Sequence, residues 1–195
     1  MEKNNDRRVR RTRQLLREAL LGLIQEKGFE ALTVQDIIDR ANVGRSTFYA
    51  HFTNKEDLLR SGLEAFHQSL RERRRQALLR AESFDERAFV FSHEVFAHAY
   101  DHRDIFRAMG GKQSGVVVQQ YFRKMLVELV REDVKLTVPQ GQHGSTQIEA
   151  VVQYVAGGLV GLMMWWMEGN MQLSVEEVDT LFRSMSIPAV KASLG

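Results

Sequence analysis

The sequence predicts an all-α protein, a short three-helix N-terminal domain followed by a larger helical bundle. Three observations carry that prediction. Apolar residues recur three and four apart along almost the whole chain. No segment alternates convincingly with period two; the one strand-like run, Val116-Val117-Val118, sits in a stronger helical pattern of Val117, Tyr121, Met125, Leu126 and Leu129. Only two prolines, Pro139 and Pro188, occur in 195 residues, which leaves room for long helices.

The elements follow in order. From about Arg8 to Lys27, Leu16, Ala19, Leu20, Leu23 and Ile24 line one helical face, and Gly28 suits a left-handed cap with Phe29 folding back as its apolar contact. Thr33-Val34-Gln35-Asp36 reads as a capping box opening a short helix to about Arg40, with Ile37, Ile38 and Ala41 buried. Asn42-Val43-Gly44 breaks the chain for three residues. A second short helix, about Arg45 to Phe52, buries Phe48 and Phe52. Asn54 to Asp57 then caps a long helix running over about 54–80, whose inward residues are Leu58, Leu59, Leu63, Phe66 and Leu70. Beyond a joint at Ser83-Phe84-Asp85, helices are expected at about 85–101, 103–109, 115–136, 146–168 and 174–186, with loops at Gly110–Ser114 and Thr137–Ser145. The domains divide as 1–60 and 61–195, linked by the long helix.

Composition excludes several classes. A 44% hydrophobic and 27% charged chain is not disordered. With no cysteine there is no disulfide framework, thiolate zinc site or cysteine nucleophile. The opening residues lack the apolar core of a signal peptide, so a cytoplasmic protein is expected. The run Tyr154 to Met167 is apolar all round but spans only 14 residues, short of the ~20 that cross a membrane, so a buried helix is expected and no membrane partner.

The net charge of +2 hides an asymmetry. Residues 1–80 carry 17 Lys+Arg against 11 Asp+Glu, a net of +6, and the remainder carries 10 against 14, a net of −4. A basic front and an acidic rear mean that only the front suits a polyanion. Two short helices joined by a three-residue turn describe a helix-turn-helix, whose second helix sets its N-terminal residues on base edges in the major groove. Those residues here are Arg45, Ser46 and Thr47; Arg grips guanine bidentately, and the hydroxyls serve a base or a phosphate. Spacing alone occurs in many proteins.

Gly28-Phe29-Glu30-Ala31-Leu32-Thr33-Val34, Ile37-Ile38-Asp39-Arg40-Ala41 and Ser46 through Leu59 together resemble the N-terminal domain of tetracycline-repressor (TetR/AcrR-type) regulators over about residues 8–60. Asn42 stands where that family commonly has Gly, and Gly44 where it commonly has Ser or Thr. Asn tolerates positive φ, and Gly is a weaker cap. The resemblance implies that Thr33, Tyr49, His51 and Lys55 contact phosphates and that Arg45, Ser46 and Thr47 face bases. It also turns the basic arm, with Arg8 and Arg11, into a phosphate or minor-groove contact.

For the C-terminal part the resemblance implies a dimerisation and effector domain. Gly157 and Gly161, four apart, place small residues where a second helix approaches closely, either within the chain or across a two-fold interface with Trp166. An apolar effector pocket among the middle helices is expected to use His93, Phe96, His98, Tyr100, Phe106, Tyr121, Met125 and Trp165, with Gln119 a further polar candidate. His98 and His102, with Glu94 a turn earlier, have metal-compatible spacing but lack further ligands, so neither a metal nor a cofactor is expected. Gly110 to Gly115 lacks the spacing of a phosphate loop, and no nucleophile motif is present; the expectation is not an enzyme. The expected function is a ligand-responsive repressor that binds a pseudo-palindromic operator in double-stranded DNA as a homodimer and takes a small apolar or aromatic effector. The alternatives are a small-molecule-binding or enzymatic helical protein with an accessory helix-turn-helix, and an effector-independent DNA-binding protein.

Overall fold

The computed structural model describes residues 2–109, 113–136 and 144–194, among which there are helices and no strands; the side chains of residues 2–6 and 113 are also outside it. The order is α1 (Glu2–Lys27), α2 (Val34–Ala41), α3 (Arg45–Tyr49), α4 (Lys55–Arg80), α5 (Phe84–Arg87), α6 (Phe91–Asp101), α7 (Arg103–Met109), α8 (Gln113–Lys135), α9 (Ser145–Glu168) and α10 (Val175–Leu194). The all-α expectation holds. Of the loops expected at Gly110–Ser114 and Thr137–Ser145, residues 110–112 and 137–143 lie outside the described residues, while Gln113 and Ser114 already belong to α8 and Ser145 opens α9.

The chain divides into two compact units, Met1–Phe66 with Asp104–Val118, and His67–Arg103 with Gln119–Gly195. In the first, Leu16, Leu20 and Ile24 of α1 pack with Ile37 and Ile38 of α2, Phe48 of α3, Phe52 and Leu58. Ile105, Met109 and Val118 complete that core, which is why residues far along the chain join the N-terminal unit. Glu30 ties them further, accepting from the Ser114 N–H at 3.2 Å and its hydroxyl at 2.5 Å.

Local punctuation follows the sequence closely. Gly28 adopts φ 76° and its N–H donates to the Ile24 carbonyl at 2.9 Å. The Thr33 capping box forms, with Asp36 N–H donating to Thr33 Oγ1 at 3.2 Å and Thr33 N–H donating to Asp36 Oδ2 at 2.8 Å. Asn42 sits in the left-handed region at φ 51°, ψ 50°, as the turn demands.

In the second unit Phe96 of α6 lies against Trp166 of α9 and Phe182 of α10, with ring centroids 5.8 and 6.4 Å away. The helix expected at 85–101 is instead two, separated by Phe89 at φ 57°. A left-handed Phe is strained, and buried polar groups hold it. Asp133 accepts its N–H at 2.8 Å while pairing with Arg74, and the Ser92 hydroxyl, also bonded to Asp179, donates to its carbonyl at 2.6 Å. Burial pushes the Asp179 carboxyl above its usual range, with Ser92 pulling the other way.

Three further boundaries move. α1 continues through the basic arm, α3 stops at Tyr49, and α10 runs through Pro188 to Leu194. Pro188 removes a donor for the Ser184 carbonyl, but Ser184 is exposed, so water meets that carbonyl cheaply. α9 is long and apolar enough to cross a membrane by length and composition, at mean hydropathy 1.4. One side of it, Val152, Val155, Leu159, Met163 and Trp166, is nonetheless buried in the chain's own core.

Candidate nucleic-acid interface

The reading surface is built from α3 outward. Five residues make barely one turn, so α3 is positioned by Phe48, fully buried, and by Phe52 just beyond it, 6.0 Å from the Phe48 ring. Anchoring these two rings leaves Arg45, Ser46 and Tyr49 exposed and Thr47 and His51 half-buried. Gly44 caps the helix without a side-chain bond, as expected for a residue with no hydroxyl. The Arg45 guanidinium rests 5.7 Å over the Tyr49 ring, and that ring, 48% exposed, meets Phe48 edge-on at 5.3 Å.

A surface groove of about 350 Å³ runs between the start of α1 and α3, lined by Arg8, Val9, Thr12, Ser46, Thr47, Ala50 and His51. It brings together four of the predicted contact residues, Arg8, Ser46, Thr47 and His51. Thr12 joins them although the sequence reading did not name it; its place one turn after Arg8 on a basic helix is the signal that finds it. Arg11 is exposed on α1 outside the groove lining. Thr33 is exposed but committed, its hydroxyl donating to Asp36 at 2.7 Å. Lys27, 2.8 Å from Asp36, and these Thr33 bonds hold the Asp36 carboxyl far below the usual carboxylate range.

Lys55 has a different employment from the expected phosphate contact. Its ammonium donates to the carbonyls of Phe29 at 2.9 Å, Glu30 at 3.2 Å and Leu32 at 2.8 Å, and lies 4.7 Å from the centroid of the Phe29 ring. An ammonium has three protons, and all three are spoken for. Lys55 fastens the first turn of α4 to the α1–α2 connection.

The pocket candidates scatter. Phe106 belongs to the first unit, with the reader. In the second unit Phe96 and Met125 are buried, Tyr121 is half-buried, and Tyr100 is 46% exposed, stacked on Trp166 at 6.3 Å, with the Arg103 guanidinium 5.3 Å from the centroid of its ring. His93 lies near the surface, 3.5 Å from Glu94 and 3.7 Å from Glu176. His98 sits 4.4 Å from the His102 ring; burial and that neighbour hold its pKa down to about 3, so its imidazole is neutral. Glu94 pairs with Arg73 at 3.0 Å, and among the described residues no three metal-ligating side chains gather.

The two tryptophans stand opposite to their expected places. Trp166 is 2% exposed among Phe96 and Tyr100, its indole N–H donating to the Leu173 carbonyl at 2.9 Å, while Trp165 is 56% exposed. Helical phase explains it: Trp166 shares its face with Val155, Leu159 and Val152, whereas Trp165 follows Gly158 and Gly161. Gly157 and Gly161 have nothing within 4 Å of a Cβ position, so neither packs a helix within the chain.

Comparison with known proteins accords with this geometry. Residues 16–61 match the family described as Bacterial regulatory proteins, tetR family, and residues 88–187 match a Transcriptional regulator C-terminal region. Over 64 residues the chain is 44% identical to YxbF of Bacillus subtilis (strain 168), an uncharacterized HTH-type transcriptional regulator; the match covers 32% of this chain and only 17% of that relative. Among solved structures, a Syntrophomonas wolfei str. Goettingen protein assigned to the TetR-family transcriptional regulators superposes with TM-score 0.77 at 22% identity, covering 93% of this chain and 95% of the other. A SmeT–triclosan complex superposes with TM-score 0.69 at 17% identity, covering 91% and 90%. With its groove between α1 and α3, its exposed α3 residues and both halves of the sequence matched, the chain belongs to the TetR family of bacterial regulatory proteins and is a DNA-binding transcriptional regulator.

Proposed function

We propose that the protein is a cytoplasmic, homodimeric repressor that reads a pseudo-palindromic operator and releases it on binding a small apolar or aromatic effector. The groove between α1 and α3 carries this reading: the Arg8 guanidinium and the hydroxyls of Thr12, Ser46 and Thr47 line it, and Arg45 and Tyr49 stand exposed on α3. Arg45, Ser46 and Thr47 face bases, while Arg8, Arg11, Tyr49, His51 and Thr33 meet the phosphate backbone. One reader per protomer requires half-sites one helical turn, ~34 Å, or a multiple apart.

The dimer forms through the open face of α9, where Gly157 and Gly161 let a partner helix approach. For the effector, the neighbour holding triclosan supports a small-molecule ligand. The second unit's packed Phe96, Tyr100 and Trp166 rings, with Tyr100 exposed at their edge, have an aromatic composition suited to an apolar one. An effector that releases DNA binds the released state better, and DNA in turn weakens effector binding by the same factor.

The test is to sequence genomic fragments retained by the purified protein, footprint the enriched site and sediment the protein alone. A protected inverted repeat and a dimer are expected. Binding to DNA with no sequence enrichment, or as a monomer to a single half-site, overturns the reading.

A further inference from the structure

We infer that two copies of α9 pair antiparallel in a fixed register, with Tyr154 of each protomer stacked against Trp165 of the other. This rests on the proposed homodimer and assigns its contacts. Tyr154, Gly157, Gly158, Gly161 and Trp165 fall within one ~100° arc of the helix. The arc is open: Tyr154 is 69% and Trp165 56% exposed, and none of the three glycines has a neighbour within 4 Å of a Cβ position. Regulators of this family bind operator DNA as dimers, and a two-fold interface must be self-complementary, residue i on j and j on i.

The spacing along α9 meets that condition. The midpoint between Tyr154 and Trp165 falls between Leu159 and Val160, and Gly158 and Gly161 lie one and a half residues on either side of it. An antiparallel partner centred there sets glycine against glycine at the axis, where the backbones come closest. It sets each Tyr154 against the partner's Trp165 roughly 8 Å from the axis on each side. A parallel pair would instead place every residue against its own copy, Tyr154 on Tyr154 and Trp165 on Trp165, and would not bring the two different rings together. The two rings form the aromatic centre of this patch. Rings of this type carry ~150–250 Å² each, so their exposed fractions offer roughly 200–300 Å² per protomer. That is a core for the ~800 Å² per partner of a stable interface, which neighbouring residues must complete.

The chain has no cysteine, which makes the register directly measurable. Tyr154→Cys and Trp165→Cys proteins are treated with a short bis-maleimide, alone and mixed one to one. A second pair, Ala150→Cys with Glu168→Cys, reports the same register with both rings intact; both positions are exposed on this face. The expected result is a two-chain product in each mixture and little or none from any single variant. Wild-type and variant chains are sedimented in parallel. A dimer in which Trp165→Cys or Glu168→Cys cross-links to itself, or in which neither mixture cross-links, overturns the register while leaving the dimer standing. A monomeric wild-type chain overturns the dimer and the register together.

Discussion

Replacing Lys55 by Met leaves a linear side chain over the Phe29 ring and removes the charge with its three protons. The carbonyls of Phe29 and Leu32, both part-buried, lose donors at 2.9 and 2.8 Å; the Glu30 carbonyl, at 3.2 Å in an exposed setting, regains water. A hydrogen bond to a charged group contributes about 1.5–3 kcal/mol, so the two sheltered bonds set an upper bound of ~3–6 kcal/mol. Partial solvent access of the lysine lowers the expectation to roughly 2–4 kcal/mol. Against a typical domain stability of ~5–15 kcal/mol that is a large loss. Denaturant unfolding of wild type and Lys55→Met measures it. Operator affinity falls too, so affinity alone does not separate a fastener from a phosphate contact, but its salt dependence does. A lysine on a phosphate releases a counterion and its removal flattens log K against log[salt] by ~0.9; a fastener leaves the slope unchanged. Unaltered stability with a slope shallower by about 0.9 refutes the reasoning.

Arg45→Ala is expected to relax preference at one operator position at a cost of ~1–3 kcal/mol, read by competition among single-base operator variants. Asn42→Gly should fold as stably as wild type, whereas Asn42→Val, β-branched at φ 51°, should lose roughly 1–2 kcal/mol in denaturant unfolding. Gly161→Leu fills the approach of the partner helix and should lower dimer stability by ~1–3 kcal/mol, seen as dissociation in sedimentation with operator affinity falling alongside. The pKa of His98 is depressed from 6.5 to about 3, so its contribution is fully present above pH 6.5 and is lost as pH falls toward 3. At pH 5 about 2 kcal/mol of it should be gone, and His98→Gln should flatten that segment of the stability–pH profile.

What the sequence made legible was local. The Gly28 cap, the Thr33–Asp36 box and the left-handed Asn42 depend on residues a few positions apart, and their chemistry has few alternatives. The Phe48 and Phe52 anchors follow from a spacing of four, and once they point inward the exposed set on α3 is determined. Features made by distant residues were not legible. Nothing near Phe89 announces a left-handed residue, because the groups that hold it include Asp133 and, through Ser92, Asp179, far along the chain. The carbonyl cage of Lys55 lies some twenty-five residues upstream of it. The positions of Trp165 and Trp166 were within reach, since counting helical phase from the buried valines separates them. The pocket candidates could not be sorted by type: aromatic and Met residues read alike whether they fill a core or line a cavity.

The brevity of α3 has a consequence for how such a regulator changes its target over evolutionary time. A one-turn helix has almost no stability of its own, so its conformation is borrowed from the two phenylalanines beneath it and not from the residues that face outward. Arg45, Ser46 and Tyr49 can therefore be exchanged with little effect on folding, and Thr47 with only modest effect. Substitutions that retarget the operator are thereby uncoupled from those that would unfold the domain. A duplicated copy can drift toward a new DNA sequence through a handful of surface changes while the scaffold beneath stays under its original selection.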